Sequence, residues 1–286
     1  MGLFEIMNRH WKPLMFITLI LLVISAGLIV KNTIERGAFL ERDIELTGGK
    51  LITISLDRHF SSDELKRIEE SVSGVNIRYV SGIKNTLLVE ADVNANETAL
   101  VSELNSYGVS GDYSIQTFGP AISEIFWKQA QLAIIVAFIF MAIVVFLLFR
   151  SPVPCTAVLL AAITDIAVTV AVLDIIGVKL SLTVLAALLM LIGYSVDTDI
   201  VLTTELTKTK EKGIPERIKI AMKTGLTMTF AALGALLAMY IVSGSHILQQ
   251  MATVLIIGLL IDLPATWFTN SGILRWWTIK KEAVKQ

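Results

Sequence analysis

The sequence predicts an α-helical integral membrane protein with six transmembrane helices. Between the first and second helices it carries an extracytoplasmic α+β domain with a ferredoxin-like β-α-β-β-α-β order. Three observations lead there. The 286 residues are 54% hydrophobic and 17% charged, with a mean hydropathy of +0.70, whereas a soluble globular chain is about 25% charged. Six apolar runs, at 14–30, 130–149, 155–176, 180–202, 225–242 and 251–268, come near the ~20 residues that cross a hydrocarbon core. The polar residues are segregated: 31–128 hold 15 Asp/Glu against 10 Lys/Arg, and the remainder holds 10 against 14. Core helices of a soluble protein would need a far larger polar shell than this chain has. Length alone suggests about two domains. The single cysteine, Cys155, excludes an intramolecular disulfide framework and a multi-cysteine metal site. A formal net charge of −1 carries no nucleic-acid signature.

The first run follows Arg9 and Lys12. A basic start also fits a cleaved signal peptide, but 17 apolar residues exceed the usual signal core and no A-x-A site follows, which favours an uncleaved anchor. Orientation follows from Lys and Arg in the short connections. Arg150, then Lys208, Lys210, Lys212, Arg217, Lys219 and Lys223, then Arg275, Lys280, Lys281 and Lys285 all fall on one side when six helices alternate. That side is expected to be cytoplasmic, with both termini there; the opposite connections hold Lys179, His246 and the acidic insert. The expected organisation is 1–30 for the N-terminus and first helix, 31–128 for the extracytoplasmic domain, 129–273 for the five-helix bundle with a basic loop at 203–224, and 274–286 for a cytoplasmic tail. Trp11, Trp267, Trp276 and Trp277 are expected in a cytoplasmic aromatic belt and Trp127 in the outer one.

Within the insert, 50–56 alternates with Ile52, Ile54 and Leu56 on one face, a strand period. Ser61 and Glu64 form a capping box for a helix bearing Leu65, Ile68 and Val72, which Gly74 ends. Val75, Ile77 and Tyr79 alternate again, a turn at 81–85 contains Gly82, and 86–92 completes a hairpin. Asn94 and Glu97 can cap a second helix carrying Leu100 and Leu104, stopped by Gly108; 113–118 is the fourth strand. This is the split β-α-β pattern. With no cysteine cluster and no spaced His/Asp/Glu set, it points to binding rather than catalysis. Asn96-Glu97-Thr98 matches a glycosylation sequon, a weak three-residue pattern.

The motifs of common chemistries are absent: there is no G-x-x-x-x-G-K-[ST], no G-x-S-x-G and no H-E-x-x-H, and His10, His59 and His246 are scattered. Any work must draw on a partner or an ion gradient. The residues that stand out are acids inside the spans. Asp165 lies midway through the third and Asp262 within the sixth, each about ten residues from the cytoplasmic end, or ~15 Å at helical rise; they can share a layer. Asp197 and Asp199 lie in the fourth, about 200° apart around a helix, so one faces the bundle while the other reaches the interface; Asp199 is the one expected to be solvated. Asp174 is expected at the outer interface. Thr164, Tyr194, Ser195 and Thr198 can hydrogen-bond such acids. A charged carboxylate at a helix centre costs roughly 2.5–3.5 kcal/mol on insertion scales, and no Lys or Arg lies deep in the spans to offset it. Two readings stay open: an acid that binds and releases a proton as a relay, or one that stays neutral and only bonds a neighbouring helix. Pro264 should kink the sixth helix beside Asp262. Ala231-x-x-x-Ala235 and Gly234-x-x-x-Ala238 suit close packing in the fifth.

One helix, a large external domain and then five helices resembles the SecF subunits of the protein-export machinery. Gly193-Tyr194-Ser195-Val196-Asp197-Thr198-Asp199 resembles that family's fourth-helix signature, G-Y-S-[VI]-N-D-T in bacterial members. Glu45-Leu46-Thr47-Gly48-Gly49 resembles its D-F-x-G-G element, and Thr164-Asp165-Ile166 its H-D-V. The departures, with acids at Asp197 and Asp199 and Thr204-Glu205-Leu206-Thr207-Lys208 in place of D-R-I-R-E, resemble the archaeal branch. The resemblance covers essentially the whole chain. It implies a SecD partner completing a twelve-helix bundle, docking onto the SecYEG channel, and assistance to late translocation of a polypeptide coupled to proton flow. It implies no cofactor and no enzymatic activity. Two other readings compete: a proton-coupled small-molecule exporter of the wider resistance-nodulation-division group, which usually carries two helix–domain units per chain where this has one, and a passive membrane scaffold.

Overall fold

The computed structural model describes residues 3–37, 39–56, 60–72, 74–80, 85–109, 111–209 and 212–283. The turn expected at Gly82, His59, Lys210 and Lys285 lie outside the described residues. A short helix α1 (Leu3–Arg9) leads into α2 (Trp11–Arg36). The inserted domain then runs α3 (Ile44–Thr47), β1 (Gly49–Leu56), α4 (Ser62–Ser71), β2 (Val75–Val80), β3 (Asn85–Ala91), α5 (Glu97–Ser106) and β4 (Tyr113–Phe118). Four long helices follow: α6 (Pro120–Phe149), α7 (Pro152–Ile175), α8 (Leu182–Lys208) and α9 (Ile214–Val242). The last is α10 (His246–Pro264), which passes through a π-helical turn, Ala265–Asn270, into α11 (Ser271–Ala283). Among the described residues, six helices are thus long and apolar enough to cross a membrane.

Local chemistry sets several helix ends. Pro stands in the first turn of α6, α7 and α9, where its missing N–H costs nothing. Arg150, at φ 49°, and Ser151 join α6 to α7 in two residues. Two expected boundaries shift. The 203–224 loop shrinks to 209–213, because α8 and α9 continue through the basic segment, and the tail expected to follow 273 is helical to Ala283. Both segments are rich in Lys, Glu and Arg, whose straight side chains lose little freedom in a helix, and apolarity marks where lipid ends rather than where a helix ends.

The inner layer of the bundle is α7, α8 and α10, each buried over half or more of its most apolar stretch; α2 and α6 face mostly outward. Leu173, Leu188, Leu191 and Leu255 are buried together at its centre. Gly258 allows the close approach of α10 and α8, because a Cβ there would stand 2.4 Å from Leu191. The small-residue pairs expected to pack α9 do not do so here. Ala231, Gly234, Ala235 and Ala238 are exposed, with open space beside Gly234. Trp267 is also not an interfacial anchor: it is 4% exposed, within the bundle core.

In the inserted domain the strand order is β2-β3-β1-β4, with every neighbouring pair antiparallel. Each β-α-β step therefore skips one strand position. Ile52, Ile54, Leu87 and Val89 pack on Ile68 of α4, on Val72 at its C-cap, and on Leu100 and Leu104 of α5. The Ser61–Glu64 capping box forms. The cap of α5 is Asn96 rather than Asn94: its side chain accepts from Ala99 N–H and from Thr98 Oγ1, which gives the sequon residues a structural role.

The opposite face of the sheet rests on the α7–α8 connection. Arg42 and Leu180 form a parallel bridge, with Asp43 N–H donating to the Leu180 carbonyl at 2.9 Å and Leu180 N–H donating to the Glu41 carbonyl at 2.7 Å. Around it sits a buried ion cluster. Arg78 of β2 pairs with Asp43 at 3.0 Å and with Glu90 of β3, while Lys179 pairs with Glu90 at 2.8 Å and Glu41 at 3.3 Å. Glu45 accepts from the Leu182 N–H at the start of α8 at 2.8 Å. Burial pushes the Glu45 carboxyl above its usual range; the Leu182 bond opposes this and Asp43 reinforces it.

The element 45–49 is the hinge plate of this joint. Gly48 has φ +90° and lies against Pro120, the first residue of α6. Gly49 has φ +144°, and a Cβ there would sit 2.6 Å from Ile44 and 2.7 Å from the Ala91 carbonyl oxygen. Gly49→Ala is expected to lower stability by roughly 1–3 kcal/mol from the backbone conformation alone, and more with the clash. Thermal unfolding of the purified chain in detergent reads this; an unchanged midpoint would refute it.

Candidate functional site

Three carboxyls converge in the middle of the bundle. Asp165 of α7 and Asp199 and Asp262 of α8 and α10 are 1%, 0% and 0% exposed. Ser195 Oγ donates to Asp165 Oδ2 at 2.5 Å. The Asp165 and Asp262 carboxyls lie close to one another, and Ser195 is near both. Thr266 Oγ1 lies 3.1 Å from Asp262 Oδ1 and 2.9 Å from Asp199 Oδ1. Asn270 Nδ2 closes the line by donating to Asp199 Oδ1 at 2.5 Å. The result is one polar file, Asp165–Ser195–Asp262–Thr266–Asp199–Asn270, across three helices.

The π-helical turn is what completes the file. Asp262, Thr266 and Asn270 are spaced four and four, and a strict α-helix would rotate each step about 40° off the previous one. Pro264 supplies no N–H, and the chain behind it opens to the wider i→i+5 pattern. That wider turn keeps all three side chains on the face toward α8. The kink expected at Pro264 is therefore a widened turn.

Hydrogen-bond capacity constrains the protons here. A threonine hydroxyl carries one proton, yet Thr266 contacts an oxygen of each of two carboxyls. The two carboxyl oxygens therefore share a single donor. Asp165 Oδ1, Asp199 Oδ2, Asp262 Oδ2 and Asn270 Oδ1 are buried and take no hydrogen bond from the chain. The file thus has acceptors to spare.

The other expected residues fall elsewhere. Asp197 is exposed on the far side of α8, along with Gly193 and Tyr194; expecting Asp199 to be the solvated acid inverts the helix face, since it is Asp199 that turns inward. The buried Thr164 hydroxyl donates to its own Leu160 carbonyl at 2.7 Å. Thr198 bonds back to Tyr194 and lends its methyl to the packing. Asp174, expected at the interface, accepts from Asn32 Nδ2 at 2.7 Å and so ties α7 to α2. Thr266 and Asn270 were not singled out by sequence reasoning; the four-and-four spacing from Asp262 across Pro264 was the available signal. Among the described residues no group of three or more His, Cys, Asp or Glu is arranged to hold a metal ion.

Gly225 brings α9 against this site. A Cβ there would lie 2.5 Å from the Trp267 ring and 2.9 Å from Thr198 Cγ2. Gly225→Val is expected to cost about 1–3 kcal/mol by overpacking and to push Trp267, next to Thr266, off its position. Intrinsic tryptophan emission and the unfolding midpoint would both move; neither moving would contradict the packing.

Residues 100–280 match the family described as protein export membrane protein SecD/SecF, C-terminal. The protein-export membrane protein SecF of Pyrococcus furiosus is 38% identical over 280 residues, covering 95% of this chain and 92% of that one. The SecF of Methanothermobacter thermautotrophicus is 38% identical over 277 residues, 94% of this chain and 93% of that one. The fold is shared with the crystal structure of SecDF, a translocon-associated membrane protein from Thermus thermophilus, at a TM-score of 0.77 and 20% identity. That likeness covers 97% of this chain, which spans 40% of the SecDF chain. With a family match over most of its length and relatives at this identity, the chain belongs to the SecF family of protein-export membrane proteins.

Proposed function

We propose that this chain is the SecF half of a SecD–SecF assembly that assists late steps of polypeptide export and draws on proton flow. The observation that carries the coupling is the buried file of Asp165, Asp262 and Asp199, in which hydroxyl groups contact the acids and, among the described residues, no cation is paired with them. Such a file can pass a proton by exchanging donor and acceptor roles along its length.

A SecD partner is supported by what α8 leaves uncovered. Met190, Gly193, Tyr194 and Asp197 form one exposed stripe on a membrane-spanning helix. A carboxyl facing hydrocarbon is costly, so the stripe calls for a protein surface over it; the open small-residue face of α9 suits the same close approach. In this reading both termini and the basic ends of the spans are cytoplasmic. Residues 31–128 stand outside and meet the emerging polypeptide, and the channel, SecYEG, is the docking partner.

The test uses membrane vesicles depleted of the chain and of SecD. Restoring both should raise export of a secreted protein only while a proton gradient stands, and a protonophore should erase the gain. A gain that survives the protonophore would leave a scaffold, and gradient-driven efflux of small molecules without effect on export would favour an exporter.

A further inference from the structure

We propose that the cavity at the basic end of the bundle binds the phosphate headgroup of an anionic membrane lipid. The cavity measures about 810 Å³ and opens where the end of α8, the start of α9 and the C-terminal half of α11 meet. This is within the range of sites that enclose a small ligand.

Its charge is one-sided. Lys212, Arg217, Arg275 and Lys281 line it, and Glu282 is the acid among the described lining residues. That acid is already engaged: Arg217 donates to it at 2.7 Å. Arg217 is 3% exposed and also donates to the Leu206 carbonyl at 3.0 Å, so it is a fixed cation in the wall and not a solvated surface group. The Nε groups of Arg217 and Arg275 are buried with no acceptor in the chain. Among the described residues Lys212 pairs with Glu216, at a loose 3.8 Å. Four cations against one committed carboxylate leave the cavity strongly attractive to an anion. A second cavity of about 710 Å³ shares Lys212 and Pro215 and adds Lys219, Lys223 and the acid Glu216, so a net positive field runs around the start of α9.

Depth and wall composition identify the anion as a lipid. The cavity lies at the ends of helices long enough to span a bilayer, where headgroups sit. Beside the cations its walls are apolar: Ile214, Pro215, Ile279 and the ring of Trp277. Lys281 Nζ stands 4.4 Å from the Trp277 ring centre and Lys280 Nζ 5.5 Å from that of Trp276; such Trp and Lys pairs mark the interfacial zone. Ile279 and Trp276 are 46% and 54% exposed on the same helix and offer a path for acyl chains leaving the cavity. A free phosphate would gain nothing from these surfaces. Basic pockets between spans are the setting in which anionic headgroups are held.

The experiment places the whole chain in phosphatidylcholine nanodiscs with or without phosphatidylglycerol and reads the unfolding midpoint and the lipid retained after transfer to detergent. Phosphatidylglycerol should be retained in preference to phosphatidylcholine and should raise the midpoint. Each lysine replaced should weaken retention about fivefold, the increment of one basic side chain near an anionic headgroup. Lys212→Gln and Lys281→Gln are chosen over Arg217 because Arg217 holds a buried carbonyl. An unchanged midpoint in pure phosphatidylcholine certifies their fold, and Lys66→Gln in the external domain serves as a charge control without effect. Equal retention by the double variant and the wild type would overturn the proposal. So would inorganic phosphate giving the same rise in midpoint, which would assign the cavity to a soluble anion. An acidic peptide that displaces no lipid yet needs both lysines would assign it to a protein partner.

Discussion

Asp165→Asn is expected to remove the whole gradient-dependent part of export while leaving the fold and the partner association in place. Asparagine has the volume of aspartate and keeps an oxygen that can accept from Ser195 at the position now 2.5 Å away. What it loses is the exchangeable proton. At this point of the file the Asp165 carboxyl lies beside that of Asp262. In the variant the amide can donate to Asp262 permanently, which fixes the direction of the bond and stops the exchange of roles. Export measured without a gradient should match wild type, and the unfolding midpoint should change little because no cavity is made. Wild-type gradient dependence in Asp165→Asn, at equal expression, would dispose of the relay.

The same logic separates Asp199 from Asp197, two residues apart in the chain. Asp199 ends the file, bonded to Thr266 and Asn270; Asp197 lies on the exposed stripe. Asparagine at 199 should act on proton flow, and asparagine at 197 on association with the partner helices. This split gives distinct roles to two acids that the motif alone presents as a pair.

Much of this was legible in the sequence, for identifiable reasons. Six spans and an inserted domain follow from apolar run length, because a bilayer demands backbone self-satisfaction over a fixed thickness. The strands at 49–56 and 113–118 follow from a period of two, and Ser61 and Glu64 from their spacing. Asp165 and Asp262 could be placed in one layer by counting residues from one end. The inward face of α8 could not be chosen that way, since a helix apolar on all sides has no moment to orient it, and so Asp199 was turned the wrong way. Thr266 and Asn270 were hidden because their convergence depends on a π-helical turn that period counting does not anticipate. Trp267 was assigned to an interface by its type, whereas Gly225 had opened room for it inside the bundle. The joint at Asp43, Arg78, Glu90 and Lys179 joins residues far apart in the chain and leaves no local pattern at all.

That joint sets the second large effect. Arg78→Met is expected to destabilise the chain by about 3 kcal/mol, the lower end for breaking a buried ion pair, because its side chain keeps 21% exposure. Burial opposes the charge on Arg78, but Asp43 and Glu90 outweigh it and raise its pKa. Removing it leaves Asp43 facing Glu45 and Glu90 depending on Lys179 alone. Asp43 also caps α3 and carries the backbone bridge to Leu180, so the loss should spread from the sheet to the α7–α8 connection. Arg78→Met combined with Asp43→Asn should recover part of the stability, because Asp43 is the charge left without a cation while Glu90 keeps Lys179; the coupling energy from the four-variant cycle measures it. A spin-label distance between β4 and the outer end of α8 should broaden in Arg78→Met and narrow again in the double variant. If the distance stays sharp while stability falls, the bridge at Leu180 alone fixes the domain on the bundle and the ion cluster only adds to its stability.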